Sequence, residues 1–316
     1  MALTLAASGA ASGYLALSPA VINGIQAWHI LGGSDAASIA NQLEGGASGA
    51  MVGAPVENAS SATFTGLTSW MKLGVAASQT CTFIALMQAT AAVAGNTTSV
   101  VGISDCTTSA SALTSPSIAV TSATVLTVTA AHSLLPGAPV TLAGWSGAGI
   151  NGTYNVVSVN GTGSFTVATT GASGSPTGGT VTPVLSGQHL AIANSSGAVL
   201  RGTRVVNASG TPTLTNLSLT MASPTAWNLC AVVFTTAGWT VYNLTAGTSA
   251  TTTNASALVS SGTNLMVGSG LTTYSGAANV AFAGVHNAAL SLTELQSIRT
   301  QLLAIMAGLA TPITGF

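Results

Sequence analysis

The stretch Asn264–Gly308, NLMVGSGLTTYSGAANVAFAGVHNAALSLTELQSIRTQLLAIMAG, joins a strand pattern to a helix pattern. In its first half Leu265 and Val267, then Val280, Phe282 and Gly284, alternate with small or polar residues. That period of two is the pattern of strands with one buried face. After His286 the period changes. Ser291 followed three residues later by Glu294 has the spacing of a capping box, in which a hydroxyl accepts an amide proton and a carboxylate reaches back. Leu295, Ile298, Leu302 and Ile305 then recur at helical spacing, and Gly308 with Pro312 ends the run. A helix over about 291–307 is expected, closing an otherwise all-β chain.

Upstream, WNLCAVVF (227–234) and GWTVYNL (238–244) read as paired strands, and TPTLTNLSLTM (211–221) as a Thr/Ser-rich one. The run CTFIALMQAT (81–90) is apolar without a breaker and fits a central strand. In QHLAIANSSGAVLRGTRVV two alternating segments flank NSSG, a hairpin signal. From about Thr114 the composition shifts. Short alternating segments recur at Ile118–Thr121, Val125–Thr129, Pro139–Leu142, Tyr154–Val159, Ser164–Ala168 and Thr180–Val184, separated by turn residues. These assign a small inserted β-module to 114–184, a discontinuous parent domain to 21–113 and 185–316, and an Ala/Ser/Gly-rich arm to 1–20.

The ordered pieces "lmvGsg", "vaFagvhnaaLSltEl", AWNLCAVVFTTAGWTVYNLTAG and, upstream, IQAWHI with LEGGASGAMVGAPV resemble the concanavalin A-like, laminin-G-like jelly roll found in tailed-bacteriophage structural proteins. The resemblance covers roughly 20–113 and 185–308. Inside the insertion, "aHsl.pGapVtlaG" and "gaGINGTYnVvsV" resemble a β-module of phage tail and baseplate proteins. The resemblance implies an all-β fold: a two-sheet sandwich with an inserted small β-domain and a short C-terminal helix. It also implies a non-enzymatic virion protein on the particle surface, as a head decoration, fibre or tail component. The alternative, of a different class, is a carbohydrate-binding adhesin or receptor-binding module.

The 316 residues are 47% hydrophobic, ample for a core, yet only 3% are charged, against about 25% in ordinary soluble proteins. Four Lys/Arg side chains cannot make the basic field a nucleic acid requires. No apolar run is long enough for a membrane-spanning helix, and the first residues lack the basic region of a secretory signal. A surface so poor in charge suits a homo-oligomer among other virion proteins. Cys81, Cys106 and Cys230 match no zinc spacing, and a Cys81–Cys106 bridge is left open.

Chemistry is scarce. The carboxylates are Asp35, Glu44, Glu57, Asp105 and Glu294, and none forms the E-x-D-x-x-E strand of hydrolytic relatives. No catalytic pair, cofactor or metal site is expected. His29 and His286 lie on expected strands and stand open between approach to each other and separate burial. Trp145, Trp239 and Tyr242 are the candidate contacts for a host-surface glycan or a partner. Trp239 and Tyr242 face opposite ways on a regular strand. Trp145 lies in the glycine-rich tip LAGWSGAGING, and it serves either as a sugar platform or as packing for its own loop or a neighbour.

Overall fold

The structure, a computed structural model, describes residues 19–93, 99–194, 197–272 and 274–316. The arm assigned to 1–20 therefore lies almost wholly outside the described residues. Its last residue is tied down, with the Ala20 N–H donating to Gln301 Oε1 at 2.6 Å.

The chain opens with β1 (Ile25–Ile30), a short helix α1 (Asp35–Ile39), β2 (Ala50–Val52), β3 (Val56–Glu57), β4 (Ala62–Thr65), β5 (Trp70–Ala76), β6 (Cys81–Ala89) and β7 (Val100–Ser104). It continues through β8 (Ser117–Ser122), β9 (Val125–Thr129), β10 (Pro139–Ala143), β11 (Gly152–Asn160), β12 (Ser164–Ala168) and β13 (Thr180–Pro183). It ends with β14 (Gln188–Asn194), β15 (Ala198–Ala208), β16 (Thr211–Thr220), β17 (Asn228–Phe234), β18 (Gly238–Asn243), β19 (Thr248–Thr253), β20 (Asn264–Val267), β21 (Ala277–His286) and α2 (Leu292–Ala307).

Among the described residues, two large antiparallel sheets form a jelly-roll sandwich. One runs β19-β18-β17-β6-β21-β4-β3 with β1 also on β21, and the other runs β16-β15-β14-β7-β20-β5-β2. A third, curled sheet, β13-β10-β11-β12-β9-β8, occupies the sequence between β7 and β14. All six segments read there from alternation are strands. Where the chain leaves and re-enters the sandwich, Thr107 and Ser186 form an antiparallel bridge.

β6 shows why an unbroken apolar run is needed. Phe83, Ala85 and Met87 point into the core between the sheets, while Ile84 and Leu86 point outward beneath α2. Strict alternation thus divides one strand between two apolar layers. β17 does the same, with Cys230, Val232 and Phe234 inside and Leu229 and Ala231 outside. α2 covers that outer layer with Leu295, Ile298, Leu302 and Met306, packed with Trp28 and Phe282. The capping box forms as the sequence implied. Ser291 Oγ accepts the Glu294 N–H at 3.3 Å, and Glu294 Oε2 accepts the Ser291 N–H at 2.7 Å. Asn23 Nδ2 donates to Glu294 Oε1 at 3.2 Å, fastening the start of the described chain to the helix.

One strand departs from its sequence pattern. Val280, Phe282 and Gly284 read as one face, but a bulge interrupts β21 between Val280 and Phe282. Val280 stays in the inter-sheet core and Phe282 turns to the α2 side, 4.6 Å from Trp28 between ring centroids. The Ala281 carbonyl, beside the bulge, accepts the Leu31 N–H at 2.9 Å and extends the β1 pairing by one residue. An extra residue in the ladder reverses side-chain parity, which periodicity cannot register. The Cys81–Cys106 bridge does not form: all three cysteines are free and buried.

Candidate functional site

The third sheet sits on the outer face of the β5–β20 region. Trp70, Met266 and Leu271 from the sandwich join Leu126, Val140, Phe165 and Val181 from the third sheet in one apolar cluster. Leu135 N–H donates to the Leu271 carbonyl at 3.2 Å across this seam, and Leu113 N–H to the Val181 carbonyl at 2.8 Å. Clefts open on either side of the seam.

The first cleft, of about 360 Å³, is lined by Ser109, Ser111, Thr114, His132, Ser133 and Thr272 among others. It falls within the size range of small-ligand sites. Its floor is ordered by backbone. Thr272 Oγ1 accepts the Thr108 N–H at 2.9 Å, and His132 Nδ1 accepts the Leu134 N–H at 3.1 Å. An accepting Nδ1 leaves the ring proton on Nε2, which is buried and has no hydrogen-bond partner among the described residues. The ring is fixed edge-on against Phe165 at 5.0 Å. No described charged side chain lines this cleft. The second cleft, of about 330 Å³, has an apolar floor of Trp70, Val52 and Met266 with Lys72 and Asn264 at its rim.

The three aromatic candidates do not come together. Trp145 is only 6% exposed and belongs to the third-sheet core. Its Nε1–H donates to the Thr180 carbonyl at 3.0 Å, and Asn151 clamps its backbone at 2.9 and 2.8 Å. Of the two roles left open in the sequence, packing against its own loop is the one the geometry shows. Gly179, at φ +90°, lies so close that a Cβ there would fall 2.7 Å from the indole. Trp239 is 1% exposed, its Nε1–H on the Gly202 carbonyl at 3.3 Å, so neither ring face meets solvent. Tyr242 does point the other way. It is half-buried, beside Asn243, Gln296 and Arg299 in a depression of about 110 Å³.

The carboxylates are dispersed. Glu294 is engaged in the helix cap. Asp105 is buried, with Oδ1 on the Gln188 N–H at 2.7 Å and Oδ2 on the Ser261 hydroxyl at 2.7 Å. Glu57 accepts from Ser38 Oγ at 2.9 Å, and its pKa is raised by burial and by the adjacent charge of Asp35. His29 and His286 lie on paired strands, but His29 faces Ala283 and His286 faces Ile25. Three residues of β21 separate the two positions, which puts them roughly 10 Å apart along the ladder. Each is bound separately, His29 Nδ1 to the Ser38 carbonyl at 3.3 Å and His286 Nδ1 to the Asn23 carbonyl at 2.8 Å. Among the described residues no group of three His, Cys, Asp or Glu side chains is placed to hold a metal ion. No described helix is long and apolar enough to cross a membrane.

No family model matches the chain. No curated protein matches it in sequence. Among solved structures the chain is similar to a crystal structure of the botulinum neurotoxin serotype D binding domain, with a TM-score of 0.45 and 6% identity. The match covers 89% of this chain and 51% of that one, so the chain spans about half the length of that structure.

The seam residues carried no sequence signal of a site. Ser109–Thr114, His132–Ser133 and Thr272 are far apart in the chain, and serines and threonines are common throughout it. His132 is one of four widely spaced histidines, and a single histidine specifies nothing.

Proposed function

We propose that the chain is a non-enzymatic binding module on the surface of a tailed-phage particle, and that it contacts neutral glycans of the host. The observation that carries this reading is the seam cleft itself. Five hydroxyl-bearing residues, Ser109, Ser111, Thr114, Ser133 and Thr272, with His132 line a space of about 360 Å³ that no described charged side chain enters. Hydroxyls that both donate and accept suit a polyhydroxylated, uncharged ligand. Hydrolysis of a glycosidic bond usually takes two carboxyl groups flanking it, and no described carboxylate lines the cleft. The virion setting, as head decoration, fibre or tail component, is supported by the resemblance of the sequence pieces quoted above. A chain with four cationic and five anionic side chains is suited to repeated, non-ionic contact with copies of itself and with other virion proteins.

The test is a titration of the whole chain with a panel of neutral and acidic oligosaccharides, followed by calorimetry. Saturable binding of a neutral glycan that weakens roughly ten-fold or more in His132→Ala, while Tyr242→Ala binds as before, is the expected result. An absence of binding across the panel overturns the glycan reading. Binding lost in Tyr242→Ala instead moves the site to the depression beside Arg299. Labelled antibody on intact particles tests the setting.

A further inference from the structure

The two sheets end on the same flank of the sandwich. Among the described residues β16 is the edge of one and β19 the edge of the other, and β16 packs across the sandwich on β18 and β19. β16 pairs on one side with β15 from Val199–Thr220 to Ala208–Thr211 without a break. Its hairpin turn is Ser209–Gly210, at φ 53° and 87°. The double positive φ gives the tight connection that keeps two long strands in register. On its other side, alternate residues of this ten-residue strand direct N–H and C=O groups away from the sheet. β19 offers a second, six-residue edge.

Edges of this length are normally guarded by charge, proline within the strand or a bulge. Here the sequences are TPTLTNLSLT and TSATTT. The single proline, Pro212, stands next to the turn, and neither strand carries a charge. The arginines of neighbouring β15 are no guard, because Arg201 and Arg204 are 8% and 0% exposed. Leu217 and Leu219 are half-buried against the rim of the main core and leave apolar surface at the flank.

We propose that this flank is the interface with a second copy of the chain, in which β16 pairs antiparallel with β16 and β19 with β19. One geometric fact selects a copy over a foreign strand. A two-fold axis normal to the sandwich returns each strand to its own layer, reversed in direction and with its inner face still inward. The same axis therefore closes both edges at once, and the two cores become continuous. A single added strand from another protein closes only one layer. The inference rests on the self-associating character proposed above and gives it a location.

The experiment combines light scattering with amide hydrogen exchange of the full chain between about 1 and about 100 µM, the range in which a micromolar dimer forms. Expected are a dimer at the upper end and exchange over 211–220 and 248–253 that slows roughly ten-fold or more with concentration. In Thr213→Lys/Ser218→Lys two exposed edge residues become cations, and this variant should be monomeric with an unchanged circular dichroism spectrum. Val157→Lys, on the third sheet, should still dimerise. A monomer at every concentration overturns the interface and the self-association together. An oligomer whose β16 and β19 amides exchange at one rate throughout overturns the interface alone. The exchange measurement on the unaltered chain decides the matter even if the lysine variant fails to fold.

Discussion

Asp105 and Gln188 meet where the chain leaves the sandwich for the third sheet and where it returns. Asp105 Oδ1 accepts the Gln188 N–H at 2.7 Å, and the Gln188 side chain continues inward, with Oε1 accepting Arg204 Nε–H at 3.0 Å. Arg204 donates further to the carbonyls of Thr235 at 2.8 Å and Gln79 at 2.6 Å, and stacks over Phe234 at 4.7 Å. Several loops are thereby fixed around one buried cation. Asp105 is its weak member, because burial pushes its carboxyl up to about 6. The native protein holds that proton more tightly than the unfolded chain does. Its contribution is therefore most favourable below pH ~4 and declines as pH rises to about 6, by roughly 3 kcal/mol. In Asp105→Asn the amide donates to Ser261 Oγ, whose proton turns to Thr263 Oγ1, 3.1 Å away. Denaturant titrations should show the variant gaining on the parent as pH rises from 4 to 7. A constant difference would contradict the buried-carboxyl account.

Histidines act in the opposite sense. Burial lowers His29 to about 4 and His189 to about 3, and lowers His286 as well. The unfolded chain takes up these protons near pH 6.5, whereas the native chain resists them. Stability is thus full above pH ~6.5 and falls on acidification, by up to roughly 1.4 kcal/mol per pH unit for each histidine. His189 contacts Tyr274 Oη at 3.4 Å and the ring edge-on at 5.1 Å. His189→Asn should reduce the acid slope by about one proton, read from unfolding midpoints between pH 4 and 7. An unaltered slope would clear His189 of the effect.

The helix cap gives a third expectation. Ser291→Ala removes the acceptor for the Glu294 N–H and should cost about 1 kcal/mol. The bonds from Ser291 hold Glu294 below the usual carboxylate range. The carboxylate's share of the cap is thus present above pH ~4.3 and lost as pH falls through its lowered pKa. A thermal scan at pH 7 checks the substitution, and a melting temperature equal to the parent's would mean that α2 is held by packing alone.

The fold was legible where local rules and tertiary structure agree. The Ser291–Glu294 box, the six short segments of the third sheet and the apolar run of β6 each state their own environment. Legibility failed where a contact joins distant positions. Trp145 lies among glycines, and nothing nearby in sequence announces Thr180 and Asn151 as its partners. The β21 bulge turns Phe282 away from Val280 although the spacing places them together. The seam cleft is assembled from segments around 110, 132 and 272, each unremarkable alone. Of the candidate contacts only Tyr242 kept an accessible ring, because opposite faces of β18 meet opposite layers.

The seam yields the last prediction. We propose that residues 114–184 are an insertion that can be excised, since Thr107 and Ser186 already bridge its two ends. Joining Leu113 to Leu185 through a short glycine linker leaves every strand of the two large sheets in place. It does not leave their surface unchanged, because Trp70, Met266 and Leu271 are buried at 6%, 3% and 1% under the third sheet. Uncovering each forfeits roughly 1.5–3 kcal/mol of burial and opens an apolar patch of the kind that drives association. The shortened chain should unfold cooperatively at a lower midpoint than the parent and bind a hydrophobic dye. Adding Trp70→Gln and Met266→Gln should abolish the dye binding. Non-cooperative unfolding would show that the third sheet belongs to the folding unit of the sandwich. An unchanged midpoint without dye binding would show that the seam contributes no stability.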